Sequence, residues 1–242
     1  MFKFFKKKEK KENIELSKLK VDVHSHLIPG IDDGAKTTEE SLEMLSKMSE
    51  LGYKKVITTP HIMMDFYPNT EEDILNRFEK LKFEVKEAKI DIDLEVAAEY
   101  YFDEFFHEKV NNKKVLTFSG NHLLFECSFF HKPINIEQLV FEINSKAYQP
   151  VIAHFERYSY FEIKDAERLK ELGCKIQMNL NSLSSHYGDK VKKQAESLID
   201  NKLIDIVGTD CHKIEHLQLL EKNLSRTYFH KMLDLDLMNY QL

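Results

Sequence analysis

Short apolar runs rich in β-branched residues alternate along the chain with longer segments in which apolar residues recur at helical spacing. The apolar runs predict seven β-strands, and the longer segments predict amphipathic helices. Thr37 and Glu40 form the pattern of a capping box at the start of one helix, while Gly52 marks its end and Gly173 the end of another. The predicted strands cover residues 21–24, 55–59, 93–98, 122–126, 150–153, 175–179 and 204–208.

Strands separated by helices in this way are typical of parallel βαβ units, which build either a (β/α) barrel or a doubly wound sheet. The polar residues distinguish the two folds. His and acidic residues follow six of the seven predicted strands, and in a parallel barrel the C-terminal ends of all strands surround one mouth. An open sheet would spread them along an edge at about 4.8 Å per strand. We therefore predict an α/β fold, a distorted seven-stranded (β/α)7 barrel that forms a single domain over residues 21–242.

The residues that follow the strands are of the metal-binding type. His24 and His26 are two residues apart on an extended segment, so both imidazoles point to the same side, and Asp210 with His212 repeats this spacing. Mixed imidazole and carboxylate donors suit Mn, Fe or Zn, and the set is larger than one ion can coordinate. We predict two or three divalent metal ions, bound by His24, His26, Asp33, His61, Glu99, Glu126, His154, Asp210 and His212.

Other polar residues near the strands have simpler interpretations. Asp32 stands beside Asp33 and Gly34, a combination that is typical of a turn, and we interpret it as a turn residue. Asp22 is either an ordinary strand residue or one that orients a metal ligand. The remaining histidines are interpreted as surface or partly buried side chains, namely His107, His122, His131, His186, His216 and His230.

The charge distribution separates a basic head from an acidic body. Residues 1–20 contain eight Lys and three Glu, which gives +5, so with a total of −6 the rest of the chain carries −11. A body that acidic argues against nucleic acid as a partner, because phosphate contacts need clustered Lys and Arg. The head, residues 1–20, is predicted to be a flexible segment, and its Lys and Phe residues also fit peripheral contact with an anionic membrane.

The apolar segments and the cysteines of the chain predict its compartment. No segment approaches the roughly 18 consecutive apolar residues of a membrane-spanning helix, and the head lacks the apolar stretch of a signal peptide. The three cysteines are widely spaced and form no CxxC pair, which favours a reducing compartment. We predict a cytoplasmic protein that works at the inner face of the membrane.

At the strand ends the sequence resembles the PHP (polymerase and histidinol phosphatase) superfamily. The resemblance is greatest to the CpsB/YwqE-type bacterial protein tyrosine phosphatases of capsule and exopolysaccharide systems. Matching stretches span residues 21–212. They are VDVHSH at 21–26, DDG at 32–34, TPH at 59–61, AEYY at 98–101, FE at 125–126, VIAHFERY at 151–158 and GTDCH at 208–212.

This resemblance implies a trinuclear centre, often of manganese, and assigns residues to it. Arg157 matches an arginine that contacts the substrate phosphate, but a second arginine expected after the last motif is absent, since His212 is followed by KIEHLQ. The implied ion sites are His24, His26, Glu99 and Asp210 for the first, Glu99, Glu126 and His154 for the second, and Asp33, His61 and His212 for the third.

The implied activity is that of a protein-tyrosine phosphatase, a metal-dependent phosphoric monoester hydrolase in which the ions activate water. Arg157 would stabilise the phosphoryl group, and either His212 or Asp33 would donate a proton. Phe66, Tyr67, Tyr100 and Tyr101 are placed to flank an aryl ring. By resemblance, the phosphotyrosine partner is the tail of a membrane-associated capsule or exopolysaccharide tyrosine kinase.

Other functions remain open at this point. A small-molecule phosphatase of the histidinol-phosphate type would use the same ligands, as would 3′-end processing of nucleic acid, which the acidic body disfavours. A metal-bound binding module without catalysis is a further alternative. A thiol-based tyrosine phosphatase is excluded, because none of Cys127, Cys174 and Cys211 is followed six residues later by Arg.

Overall fold

Residues 16–242 are described by the structure, a computed structural model, and within them lie nine β-strands and eight α-helices. The strands are β1 (Val21–Asp22), β2 (Lys55–Thr58), β3 (His61–Ile62), β4 (Asp93–Val96), β5 (Glu99–Tyr101), β6 (His122–Glu126), β7 (Gln149–Ile152), β8 (Lys175–Asn179) and β9 (Ile206–Gly208). The helices are α1 (Thr38–Glu50), α2 (Glu71–Glu87), α3 (Glu104–Asn111), α4 (Ile136–Ser145), α5 (Ile163–Glu171), α6 (Asp189–Asp200), α7 (Ile214–Asn223) and α8 (Thr227–Leu233).

Two of the seven predicted strands are interrupted, which accounts for the count of nine. The predicted strand 55–59 continues as β3 after a break at Pro60, which has no N–H to donate to a ladder. The predicted strand 93–98 breaks at Ala97 and Ala98 and continues as β5. All pairings are parallel, in the orders β1-β2-β4 and β3-β5-β6-β7-β8-β9. Counting each interrupted pair as one barrel strand restores seven.

The segments that follow β1 and β9 bring the first and last barrel strands together. Ser25 and Cys211 form a parallel bridge. The His26 N–H donates to the Cys211 carbonyl at 2.8 Å, and the Asp210 N–H donates to the His24 carbonyl at 2.8 Å. On the other side, the Thr59 N–H donates to the Ser25 carbonyl at 2.7 Å. The predicted α/β barrel class is confirmed, and its distortion consists of the two strand breaks and this short closing contact.

An apolar plug fills part of the barrel interior and leads directly to the predicted ligands. Because side chains alternate along a strand, inward positions recur every second residue. Glu99 lies two residues beyond Ala97, and Glu126 lies two residues beyond Leu124, so each carboxylate continues an inward-facing row. The plug consists of Val21, Val23, Ile57, Ala97, Phe118, Leu124, Val151, Ala153 and Ile206.

The helices cover the outside of the barrel and form the larger core with the outward-facing strand residues. Helix α1 begins as the sequence predicts, because the Thr37 side chain accepts a hydrogen bond from the Glu40 N–H. Short 3₁₀-helices lie at Leu16–Lys18, Phe155–Arg157, Leu180–Ser184 and Met238–Tyr240.

The predicted basic segment, residues 1–20, lies mostly outside the described residues. Its last five residues pack on the barrel, where Leu16 and Leu19 are buried in the larger core. Within residues 16–242, none of the helices combines the length and the apolar character needed to cross a bilayer.

Candidate active site

All nine predicted metal ligands lie together at the C-terminal ends of the barrel strands. Their donor atoms form four groups, and within each group the atoms lie within 4.8 Å of one another. The groups share members, so they make one continuous cluster. They are His24, His26 and Asp210; His24, Glu99 and His154; His61, Glu99 and Glu126; and His26, Asp33, His61 and His212.

Glu99 is at the centre of this cluster and is fully buried. Its Oε1 lies 2.9 Å from His154 Nε2, while its Oε2 lies 3.2 Å from both His24 Nε2 and His61 Nδ1. The two oxygens therefore face different histidines. That arrangement fits the bridging position that the resemblance implies for this carboxylate.

The electrostatics of the cluster favour the ionised form of Glu99 and of Asp210. Burial favours the neutral acid at Glu99, but His24 and His61 outweigh it and hold the pKa of this carboxyl well below its usual range. Burial is likewise outweighed at Asp210, whose pKa is lowered by His24 and His212. At His61, burial and His26 oppose protonation, yet Glu99 and Glu126 raise the pKa to about 9.

The donor set fits divalent cations. Five imidazoles and four carboxylates converge, which is a mixed nitrogen and oxygen set of the kind that Mn, Fe and Zn prefer. The Nδ1 atom of His154 is buried without a hydrogen-bond partner, and buried polar atoms are otherwise almost always paired. His24 Nε2 and His26 Nε2 lie 3.4 Å apart. We conclude that this chemistry suits several cations at one site.

Asp32 does more than form a turn. Its Oδ2 accepts hydrogen bonds from His26 Nδ1 at 2.8 Å and from the His61 backbone N–H at 3.1 Å, and its Oδ1 accepts one from the Gly34 N–H at 2.9 Å. Burial opposes ionisation, but His26 lowers the pKa of Asp32. The turn interpretation was therefore incomplete, because this carboxylate also fixes the ring of one ligand and the backbone of another.

Gln177, on β8, orients two further candidate ligands, and its strand contributes no candidate ligand of its own. Its Oε1 lies 3.2 Å from His24 Nδ1 and accepts a hydrogen bond from the His154 N–H at 2.6 Å. The sequence pattern did not indicate this residue. The available signal was an amide between two apolar residues, Ile176 and Met178, in the middle of a strand.

Two candidate ligands project from left-handed backbone turns just after their strands. His154 has φ of 33° and Asp210 has φ of 49°, a region that non-glycine residues rarely adopt and that is typical of functional sites. Asp22 holds the second turn, because its carboxylate accepts hydrogen bonds from the Thr209 N–H at 2.7 Å and from its hydroxyl at 3.0 Å. Burial raises the pKa of Asp22 to about 7. Asp22 thus supports a ligand through the backbone next to it.

Arg157 lies in the cavity wall and forms an ion pair with Asp210, a candidate ligand. Its Nη1 donates to Asp210 Oδ2 at 3.2 Å, and its Cζ lies 4.4 Å from the ring centroids of both Phe129 and Tyr187. Asp210 Oδ2 also accepts a hydrogen bond from Asn179 at 2.6 Å. The other oxygen, Asp210 Oδ1, faces the imidazoles. The sequence did not indicate this ion pair between Arg157 and Asp210.

The cluster forms the floor of an open cavity of about 490 Å³. Of the four aromatic residues expected to flank a substrate ring, Phe66, Tyr67 and Tyr101 line this cavity. Tyr100 does not, and that expectation was wrong. Its side chain points to the other side of β5, where it stacks on Phe106 and its hydroxyl accepts a hydrogen bond from the Leu116 N–H.

His216, predicted to be a surface or partly buried side chain, is partly buried and also lines the cavity. It lies on α7, with its ring 6.0 Å from that of His212 and 5.0 Å from that of His186. The position of His216 in the helical pattern did not indicate this. His216 reaches the cavity because the start of α7 lies beside the cavity mouth. Other cavity residues that the sequence did not indicate are Met63, Ser128, Phe129, Phe130 and Tyr187.

A sequence profile described as "Capsular polysaccharide synthesis, CpsB/CapC" matches residues 20–237. The chain belongs to the CpsB/CapC family. Among its relatives, the tyrosine-protein phosphatase CpsB of Streptococcus pneumoniae is 29% identical over 204 residues, covering 81% of this chain and 84% of the relative. The tyrosine-protein phosphatase YwqE of Bacillus subtilis strain 168 is 28% identical over 215 residues, covering 84% of each.

The fold comparison agrees with this membership in the CpsB/CapC family. The crystal structures of YwqE from Bacillus subtilis and CpsB from Streptococcus pneumoniae, described as unique metal-dependent tyrosine phosphatases, include a chain that matches with a TM-score of 0.77. It is 26% identical, and the match covers 91% of this chain and 94% of that chain. The resemblance inferred from the strand-end motifs is confirmed.

We expect His24→Ala and Asp210→Ala to abolish hydrolysis of p-nitrophenyl phosphate while the protein stays folded. Each residue belongs to a ligand group at the centre of the cluster, and the loss of one donor should lower the rate by about 100-fold or more. Steady-state rates with added Mn²⁺ and a thermal unfolding curve check this. His230→Ala, which alters an exposed histidine, serves as the control. A near-normal rate in either ligand variant would refute the assignment.

We expect Asp32→Asn to weaken metal affinity by about 10- to 100-fold, because an amide is a poorer acceptor for His26 Nδ1 and no longer fixes its tautomer. A titration with Mn²⁺ followed by calorimetry measures the change. Asp91→Asn is the matched control, since the exposed Asp91 carboxylate accepts a hydrogen bond from exposed Lys54 at 2.9 Å and does not line the cavity. Equal affinities in the two variants would remove the orienting role of Asp32.

Proposed function

We propose that this protein is a metal-dependent protein-tyrosine phosphatase, a phosphoric monoester hydrolase. The observation that carries the proposal is the convergence of nine candidate ligands at one barrel mouth, beside Arg157 and an aromatic cavity wall. The names of the relatives support the same reaction. The aromatic wall favours an aryl ester over an alkyl ester, because ring faces and edges pack well against another ring.

The ions in this proposal are two or three divalent cations, with Mn²⁺ the first choice and Fe or Zn as alternatives. The proposed ligands are His24, His26, Asp33, His61, Glu99, Glu126, His154, Asp210 and His212. When bound, such cations lower the pKa of water from 15.7 towards about 7 and offset charge on the phosphoryl oxygens.

Arg157 is the proposed phosphate-binding residue. Its guanidinium is held between Phe129 and Tyr187 and keeps one N–H on Asp210. The remaining N–H groups can donate to the phosphoryl oxygens, where a charge-assisted hydrogen bond is strongest as negative charge develops. Because its position is fixed by packing, little reorganisation accompanies substrate binding.

Either Asp33 or His212 is the proposed proton donor. Asp33 is half exposed, and its Oδ1 lies 3.4 Å from His212 Nε2, so both groups stand at the outer side of the cluster. A proton from either would go to the leaving phenolate oxygen. The phenol of tyrosine has a pKa near 10, so this oxygen needs less protonation than an alkyl leaving group.

The proposed partner is a phosphotyrosine protein, namely the tail of a membrane-associated capsule or exopolysaccharide tyrosine kinase. The capsular polysaccharide role of the family supports this choice. In this proposal the protein works in the cytoplasm at the inner face of the membrane. The basic head provides peripheral contact with that surface.

A phosphotyrosine peptide should be hydrolysed in the presence of Mn²⁺, and hydrolysis should fall to background after EDTA because the water and phosphate lose their cations. Renewed Mn²⁺ should restore it. Phosphate release from the peptide and from histidinol phosphate, measured side by side, gives the result. Turnover of histidinol phosphate alone would favour the small-molecule phosphatase. Tight Mn²⁺ binding without any turnover would instead indicate a binding module.

Removal of residues 1–15 should weaken binding to vesicles that contain anionic lipid. This segment contributes six Lys and three Glu, and each Lys near an anionic surface adds about 1 kcal/mol. The deletion keeps Leu16 and Leu19, which are buried. Co-sedimentation with anionic and with neutral phosphatidylcholine vesicles measures the effect. A full-length variant with the six Lys changed to Gln tests whether their charge alone accounts for the binding. Unchanged binding to anionic vesicles would end the membrane proposal.

A further inference from the structure

Two loops at the cavity mouth each carry a pair of adjacent aromatic residues, of which one ring turns inward and the other is exposed. In the loop after β3, Tyr67 turns inward and stacks on His61 with a ring separation of 5.5 Å. Its neighbour Phe66 is 69% exposed. In the loop after β6, Phe129 turns inward over the Arg157 guanidinium, and its neighbour Phe130 is 87% exposed. Each loop thus directs one ring into the cavity and leaves the adjacent ring exposed at the rim.

Hydrogen bonds fix the backbone of both loops. Met63 and Tyr67 exchange two hydrogen bonds, at 3.0 and 2.6 Å, and the Phe66 N–H donates to the Met63 carbonyl at 3.0 Å. The Phe130 N–H donates to Ser128 Oγ at 3.2 Å, and the Ser128 carbonyl accepts a hydrogen bond from the Tyr160 hydroxyl. The exposure of Phe66 and Phe130 is therefore built into the loops.

The two exposed rings lie on one half of the cavity mouth. Strands β3, β5 and β6 are neighbours in the sheet, and Tyr101 at the end of β5 stands between the two loops. Apart from the proposed ligands, the cavity-lining residues of this half carry no charge within residues 16–242. They are Met63, Phe66, Tyr67, Tyr101, Ser128, Phe129 and Phe130. Arg157 and His216 lie on the other half, which strands β7 to β9 supply.

We infer that Phe66 and Phe130 form a docking surface for the polypeptide of the substrate, and that this surface selects an apolar or aromatic side chain next to the phosphotyrosine. The inference rests on the proposed function, because the phosphoryl group must sit over the ligand cluster. From there, residues beside the phosphotyrosine reach the rim, where both rings line the same cavity. Exposed aromatic residues at the mouth of a pocket are typical of binding surfaces.

The uncharged lining residues of this half of the mouth favour an uncharged neighbour. A basic or acidic residue beside the phosphotyrosine would find no opposite charge among the lining residues of this half of the mouth, apart from the proposed ligands. An apolar side chain gains contact area with Phe66 or Phe130, whose rings are otherwise in water. Two other exposed rings, Phe83 at 60% and Phe141 at 71%, do not line the cavity and provide matched controls.

The test compares two peptides of equal length, with the phosphotyrosine flanked on both sides either by Phe or by Ala. The wild-type protein with Mn²⁺ should show kcat/KM about five- to tenfold higher for the Phe-flanked peptide. Phe66→Ala and Phe130→Ala should each lower this preference, and the double variant should bring it close to one. Phe83→Ala and Phe141→Ala should keep the wild-type preference. The effect should appear mainly in KM, because the rim does not touch the reacting atoms.

Two outcomes would overturn the inference. The first is equal treatment of both peptides by the wild-type protein, and the second is a preference that survives in the double variant. If a double variant that keeps the preference also loses binding to anionic vesicles, the rim is a membrane contact instead. Failure of the proposed function would differ from both, since neither peptide would be hydrolysed. Phe66→Leu and Phe130→Leu, which keep an apolar side chain, should retain part of the preference.

Discussion

The buried carboxylate of Glu99 sets the main constraint on this structure. An ionised carboxylate removed from water is very unfavourable unless opposite charges and hydrogen-bond donors surround it. Imidazoles from three separate parts of the chain, His24, His61 and His154, lie 2.9 to 3.2 Å from its oxygens. They meet there only when the barrel is closed. Three further candidate carboxylate ligands lie around the same point, so divalent cations are the natural complement to the cluster.

The fold meets this constraint by simple means. The inward-facing rows of the strands begin with apolar residues and end with ligands, as Ala97 and Glu99 show. The short contact between Ser25 and Cys211 brings the first and last strands into register. Left-handed turns at His154 and Asp210 then direct two side chains back over the mouth. The same strands thus supply the apolar plug inside the barrel and the cluster of candidate ligands at its mouth.

The sequence predicted the parts of this arrangement that depend on local pattern. Strand alternation and the residues after each strand indicated the barrel class, the proposed ligands and the family. The parts it did not indicate depend on contacts between distant residues. Asp32 and Gln177 act through hydrogen bonds to His26, His24 and His154. His216 reaches the cavity only because of how α7 packs. Tyr100 was misplaced because a one-residue shift along a strand reverses the side of the sheet.

The most direct test of the central claim is anomalous scattering from crystals of the full chain grown with Mn²⁺. The account predicts two or three anomalous peaks at the barrel mouth, one of them next to each oxygen of Glu99. The proposed ligands should lie at about 2.0–2.3 Å from these peaks, the distance range of nitrogen and oxygen donors to such ions. A mouth without peaks in Mn²⁺-soaked crystals, or ions bound only elsewhere on the protein, would contradict it.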